Sequence, residues 1–428
     1  MPFLGDDGGG PRPARRSGAG AARRREGDLT DRSKQQVALL FLCEAMTRSS
    51  AIIVLTTMAL VGRRLAPDPS LSTLPLALVP VATTLMTIPA AQFMRRRGRR
   101  PGFALAATIG IAAAAVAATA VWMGQFWLLC LGALLIGSAN GFATYYRFAA
   151  GEVASPEFRT RAISLVMAGG VIAAVLGTSL ATQTKNLFDG HPFTGSFVCI
   201  SVLQALILLI VLCTKLPPPT LHRSADDGRP LGAIARSPTF VMAVVGAVAS
   251  WGLMSLLMNA TPLSMERHHH AFGDTARVIQ WHVLGMYVPA FFTGSLIKRV
   301  GERPMLLTGL AFIAAAAWIN TGGPELTSYM AGLAVLGVGW NFLFVSCTSL
   351  ITGTYHTEGE KARVQSANDF LIYGTMILSS FLAGPLEERI GWFELNRAAL
   401  VVTAAVGVGM LLLMWRERRG AVAVPQVA

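Results

Sequence analysis

The chain has 428 residues, of which 53% are hydrophobic and 14% charged, against about 25% charged in a typical soluble domain. That balance excludes an ordinary water-soluble protein and points to a polytopic membrane protein. The net charge of +13 does not signal a nucleic-acid partner, because Lys and Arg sit in short clusters between apolar runs, where they mark one side of a membrane.

Residues 1–34 are rich in Gly, Ala and Arg and lack apolar periodicity, so a disordered basic cytoplasmic tail is expected there. The apolar run that follows is long enough to span, and no small-residue cleavage site comes after it, so a cleaved signal peptide is not expected. Spans need about 20 mostly apolar residues. Such runs occur in a first half, 35–214, at 35–62, 74–94, 101–123, 126–146, 162–184 and 196–214. They recur in a second half, 239–418, at 239–264, 278–298, 304–321, 326–350, 364–385 and 395–415. A linker rich in proline and charge, 215–238, joins the halves, and a short tail, 419–428, closes the chain. The basic stretches 94–101, 147–161, 215–236, 298–304 and 416–419 alternate onto one side, whereas loops 66–73 and 321–325 carry little positive charge. The expected fold is an all-α membrane protein of twelve transmembrane helices, with both termini in the cytoplasm and residence in the bacterial inner membrane.

The halves repeat one another. RGRRP around Gly98 matches VGERP around Gly301, Asn140 matches Asn341, and Arg161 matches Arg363, all at nearly one offset. Two six-helix halves of this kind, with basic loops after the second and eighth spans, resemble the major facilitator superfamily. Its loop signature is matched in part, by Gly98, Arg99 and Arg100 and by Gly301 and Arg303, which the resemblance marks as gating loops. Arg95 and Lys298 stand where that signature has an acid.

Polar residues inside spans are costly and mark function or pairing. Glu44 and Arg48, four apart in the first span, read as an ion pair or as a proton-coupling site. Asp369 reads as a buried carboxylate that ties to Arg363 or carries a proton. The five cysteines, Cys43, Cys130, Cys199, Cys213 and Cys347, form no CxxC and suggest neither disulfide nor zinc cage.

Met254 and Met258 share a face of the seventh span, and His282 and Met286 a face of the eighth, with His282 expected near the first helical turn. Thioether and imidazole groups favour Cu(I). The same pairing, MxxxM followed by HxxxM, resembles the CcoA-like copper importers (the CalT family). That resemblance implies that Met254, Met258, His282 and Met286 bind copper as cargo and that the metal supplies cbb-type haem–copper oxidase assembly through a cytoplasmic copper acceptor. His268, His269 and His270 lie in the turn between these spans, where they either collect metal at the mouth or form a solvated turn.

The leading expectation is therefore a Cu(I) importer working by alternating access, with copper and membrane lipid as partners, no resident cofactor and no nucleic acid. No catalytic triad or phosphate loop is present, so no enzyme is expected. One rival is a carrier of an organic solute such as riboflavin or a drug, in which the aromatics Trp251, Trp281, Tyr287 and Trp340 outweigh His282. Another is a membrane copper sensor or assembly factor without net transport.

Overall fold

A computed structural model describes residues 16–155, 158–216 and 228–422, and every regular element among them is helical. Helices are what apolar runs must form in lipid, where each backbone N–H and C=O has to be satisfied within the segment. The first half comprises α1 (Arg16–Leu65), α2 (Leu74–Arg97), α3 (Arg99–Met123), α4 (Phe126–Ala143), α5 (Tyr146–Val153), α6 (Arg159–Met167), α7 (Gly169–Thr184) and α8 (Thr194–Cys213). A short helix α9 (Leu231–Ile234) lies in the linker. The second half comprises α10 (Pro238–Arg267), α11 (Phe272–Tyr287), α12 (Ala290–Val300), α13 (Glu302–Asn320), α14 (Leu326–Thr352) and α15 (Glu358–Val422). Of the N-terminal stretch expected to be disordered, residues 1–15 lie outside the described residues, and α1 runs back to Arg16.

Ten helices among the described residues are long and apolar enough to cross a membrane. Two departures from the simple count restore twelve passages. The eighth passage is made of two pieces, α11 and α12, interrupted at Val288 and Pro289, because proline removes a backbone donor and clashes with the preceding turn. In α15, a run of 65 residues, about 97 Å if straight, exceeds any single crossing. It is divided at Gly391, whose φ of 75° breaks the helix between the eleventh and twelfth passages.

The repeat seen in the sequence has a structural counterpart. Gly98 (φ 95°, ψ 165°) and Gly301 (φ 91°, ψ 160°) adopt nearly the same positive-φ conformation between successive helices. The residues beside them bond in parallel ways. Arg100 donates to the Leu212 carbonyl at the end of α8, and Arg303 pairs with Glu417 near the end of α15 at 2.5 Å.

The two halves meet mainly at the face opposite the basic loops, here termed the far face. Thr73 donates its hydroxyl to the Phe381 carbonyl at 3.4 Å and accepts from the Gly384 N–H at 3.1 Å. Arg64 pairs with Glu266 at 3.9 Å, and Phe193 meets Phe272 edge-on at 5.2 Å. The central helix α1 reports the consequence. From Ser49 to Gly62 its residues are buried apart from the half-buried Ala51 and Leu55, whereas Gln35, Ala38, Leu42 and Arg48 are exposed. The space between the halves is thus sealed at the far face and open toward the basic face.

Within the second half, α11 and α14 approach almost backbone to backbone. A Cβ at Gly337 would lie 2.3 Å from the His282 carbonyl oxygen and 3.0 Å from the Met286 nitrogen. Only glycine fits there. Gly337→Leu is expected to force α11 off α14 and destabilise the fold by about 1–3 kcal/mol, the usual range for overpacking; a thermal unfolding profile in detergent identical to that of the parent chain would contradict this.

Candidate functional site

The four residues of the methionine–histidine set all lie inside the second half. Met254 and Met258 on α10 and Met286 on α11 are buried members of one continuous apolar core, and His282 is completely buried. Helix α11 starts at Phe272, so His282 lies ten residues, about 15 Å, below the helix start, at mid-depth rather than in the first turn as expected. The imidazole Nδ1 lies 2.8 Å from the Leu333 carbonyl oxygen of α14, a bond in which the ring must be the donor. That fixes the tautomer and leaves Nε2 as a bare lone pair, with no hydrogen-bond partner among the described residues. Chemically, such a nitrogen can ligate a soft cation or accept a hydrogen bond from a solute.

The break after α11 is repaired from α14. Asn341 donates to the Met286 carbonyl at 2.8 Å, one of the acceptors a helix end leaves open, and receives the Thr293 hydroxyl on its own carbonyl at 2.6 Å. Its repeat partner Asn140 makes no interhelical side-chain bond among the described residues. Asn341 thus ties the end of α11 and the start of α12 to α14.

The open space between the halves is lined differently. Glu44 and Arg48 form the expected ion pair, at 2.7 Å; the carboxylate is buried, but the Arg48 side chain is 46% exposed. Its guanidinium lies within electrostatic reach of Tyr287 and Tyr373, and Tyr373 lies within reach of Asp369 and Arg147. These residues come from α1, α5, α11 and α15, so both halves contribute. Tyr287 also packs its ring against Gly170 of α7, where a Cβ would lie 2.8 Å from it. Asp369 corrects the sequence reading in two ways. It is exposed rather than buried, and Arg363 donates instead to the Arg229 carbonyl of the linker, at 3.0 Å. Arg229 in turn grips the buried Glu360 at 2.9 Å, fastening the linker to the start of α15. That carboxylate holds the Arg229 guanidinium above its ordinary pKa.

A third group joins α10 and α14. Trp340 and Phe344 stack at 5.2 Å and 20°, and Trp251 stands across them at 4.9 Å and 86° to Trp340 and at 5.6 Å and 82° to Phe344. Neither indole N–H has a partner among the described residues. A buried donor left so costs about 1–3 kcal/mol. Trp251, Met254 and Met258 fall on one face of α10, so the aromatic group and the methionine pair adjoin. Trp281, grouped with these aromatics by the sequence reading, is 49% exposed on α11 and lies outside the cluster.

The histidine run is engaged locally. His268 Nδ1 lies 2.8 Å from the Ser264 carbonyl and 3.1 Å from the Tyr329 hydroxyl, and His270 Nε2 lies 2.7 Å from the Pro324 carbonyl. Only His269, in a left-handed conformation (φ 60°), is exposed. Of the gating-loop residues, Arg99 binds Glu152 through two nitrogens at 2.6 and 3.2 Å, supplying between loops a carboxylate that the loop itself lacks.

Asn341→Ala is expected to leave the Met286 carbonyl unpaired, the Thr293 hydroxyl keeping its bond to the Pro289 carbonyl, and to cost about 1–3 kcal/mol. Thermal unfolding would check it, and Thr293→Ala should be the milder change; the reverse order would contradict the repair role.

Comparisons with known proteins agree with this architecture. Residues 37–373 match the Major Facilitator Superfamily. The chain is 39% identical over 385 residues to the riboflavin transporter RfnT of Brucella anthropi, a match covering 89% of this chain and 96% of that one. It is 26% identical over 375 residues to the uncharacterized MFS-type transporter YdeG of Bacillus subtilis, covering 84% and 85%. Among solved structures, an inward-facing, occupied bacterial homologue of the human lysosomal transporter Spinster superposes with a TM-score of 0.65 at 17% identity, covering 90% of this chain and 96% of that one. An auto-inhibited peptide transporter of the POT family superposes with a TM-score of 0.65 at 13% identity, covering 90% and 97%. The chain belongs to the major facilitator superfamily and is a multi-pass transporter of the bacterial inner membrane.

Proposed function

We propose that the chain imports an organic solute of the riboflavin class by alternating access, with the basic face in the cytoplasm. The observation that carries this reading is the 39% identity, over nearly the full length of both chains, to a transporter of riboflavin. The path supports it. An exposed arginine, an exposed carboxylate and two tyrosines line the opening between the halves, and the second half adds an aromatic cluster with two buried, unpartnered N–H donors. That mixture suits a molecule with a flat ring and a polar chain. The sealed far face and the open basic face correspond to the cytoplasm-open half of the cycle.

One observation favours a second reading, Cu(I) import. The His282 Nε2 lone pair is buried without a partner, in the core that also holds Met254, Met258 and Met286. Neutral thioethers would hold Cu(I) and release it. The sensor or assembly-factor alternative has no observation of its own.

One experiment separates the two importers. Cells lacking their own riboflavin synthesis and uptake would express the chain or its His282→Ala form, and growth on limiting riboflavin and accumulation of radiolabelled copper with reductant would be measured. The organic-solute reading expects growth with both forms and copper at the empty-vector level. Copper accumulation abolished by His282→Ala, without growth on riboflavin, would establish the second reading instead. For orientation, a fluorescent protein fused to the C-terminus should fluoresce and alkaline phosphatase at the same point should be inactive; the opposite pattern would invert the topology.

A further inference from the structure

The last passage of α15 carries Ala405 and Gly409 one turn apart, on the side that meets α10. Their missing bulk leaves a groove of about 540 Å³ between the two helices, lined by Val245 of α10 and by Ala405, Gly409, Met410, Leu412 and Arg416 of α15. Buried Met410 forms its floor, its methyl carbon 3.5 Å from where a Cβ on Gly246 of α10 would lie. No third described helix contributes to the lining. Val245 is 41% exposed and Leu412 55%, and every exposed side chain of α15 from Val401 to Leu412 is apolar. The groove therefore opens on a surface that lipid must cover.

One end of the groove is charged. Arg416 closes it at the basic face; it is exposed and makes no hydrogen bond or ion pair among the described residues. The acid next to it is already engaged, since Glu417 pairs with Arg303 at 2.5 Å and accepts the Thr239 hydroxyl at 2.9 Å. Exposed Trp415 beside it marks the level of the headgroups, where tryptophan gathers. From Ala405 to Arg416 the helix rises about 16 Å. Half of a hydrocarbon core of about 30 Å, the depth of one leaflet, is nearly the same length.

We infer that this groove seats one acyl chain of an anionic phospholipid, with the lipid phosphate on the Arg416 guanidinium. The chain fills a space whose walls otherwise lack contact atoms on one side. The guanidinium fork matches two phosphate oxygens, and basic groups between helices at this level recognise anionic headgroups. A zwitterionic lipid offers the same phosphate, but its ammonium would come beside Arg416 with no free carboxylate to meet it. The groove thus selects by headgroup charge as well as by chain, and the seated lipid ties α10 to the last passage. None of this depends on which solute the chain carries.

Native mass spectrometry would test it on the purified full chain, delipidated in detergent and then given equal amounts of phosphatidylglycerol and phosphatidylethanolamine with matching acyl chains. The parent should retain phosphatidylglycerol in preference. Arg416→Gln should lower that preference about fivefold and leave phosphatidylethanolamine retention unchanged. Gly409→Leu fills the groove without a clash, since a Cβ there meets nothing within 4 Å, and should lower retention of both lipids. Val401→Leu, on the same surface outside the lining, should alter neither. Thermal unfolding without lipid would confirm that each variant is folded. Equal retention of the two lipids by the parent would overturn the headgroup selection. Loss of phosphatidylglycerol in Arg416→Gln but not in Gly409→Leu would overturn the groove as the seat of the chain. Unchanged retention in both variants would overturn the site altogether.

Discussion

The apposition of α11 and α14 is the constraint on which the second half depends. Gly337 lets the α14 backbone come against the His282 and Met286 backbone, and Asn341, one turn on, satisfies the carbonyl that the break before Pro289 opens. In lipid an unpaired carbonyl has no water to turn to, so a broken helix survives only where a neighbour repairs it. The repair fixes three things at once: the His282 ring on the Leu333 carbonyl, the Met286 side chain in the core, and Tyr287 on the seam with Gly170 of the first half. Broken helices near mid-membrane are where carriers of this architecture place their substrate sites.

From that fixed pair the division of labour across the path follows. The first half offers charge, through Arg48 and Arg147, and the second half offers rings and hydroxyls, through Trp251, Trp340, Phe344, Tyr287 and Tyr373. Glu44 is spent on Arg48, which holds the guanidinium at the edge of the open space instead of letting it seek water elsewhere. On the proposed function, a solute that touches both halves gives a physical reason for closure, since rocking the halves together completes its contacts. The far-face contacts that must break in the opposite state include a 3.9 Å ion pair, a 3.5 Å bond from Arg63 to the Leu263 carbonyl, one hydroxyl shared between Phe381 and Gly384, an edge-on aromatic pair and Lys185 over the Phe272 ring.

Much of this was legible in the sequence. Twelve apolar runs, the alternation of basic loops and the matched RGRRP and VGERP segments led to the observed helices and to the paired conformations of Gly98 and Gly301. The Glu44–Arg48 pair followed from helical spacing alone. The misreadings share a cause, which is that burial and partnership across helices are tertiary facts. Asp369 looked buried because it lies in an apolar run, yet its side of α15 faces the open space. Arg363 looked like its partner because it is near in sequence, yet the linker captured it. Pro289 was visible, but only the structure shows that it divides the span and that Asn341 mends it. The cluster formed by Trp340, Phe344 and Trp251 had no local signature, since two helices far apart in the chain build it. The methionine–histidine motif is the converse case: its spacing is plain in the sequence, and the structure places all four residues in or beside one buried core.

Net transport of a riboflavin-class solute can be read from the purified chain in proteoliposomes. Entry of radiolabelled riboflavin would be followed over time, with and without unlabelled riboflavin trapped inside. Saturable uptake that trapped riboflavin accelerates is expected, because a carrier that alternates between two faces returns faster when loaded. Uptake no greater than in protein-free vesicles, under both conditions, would contradict it.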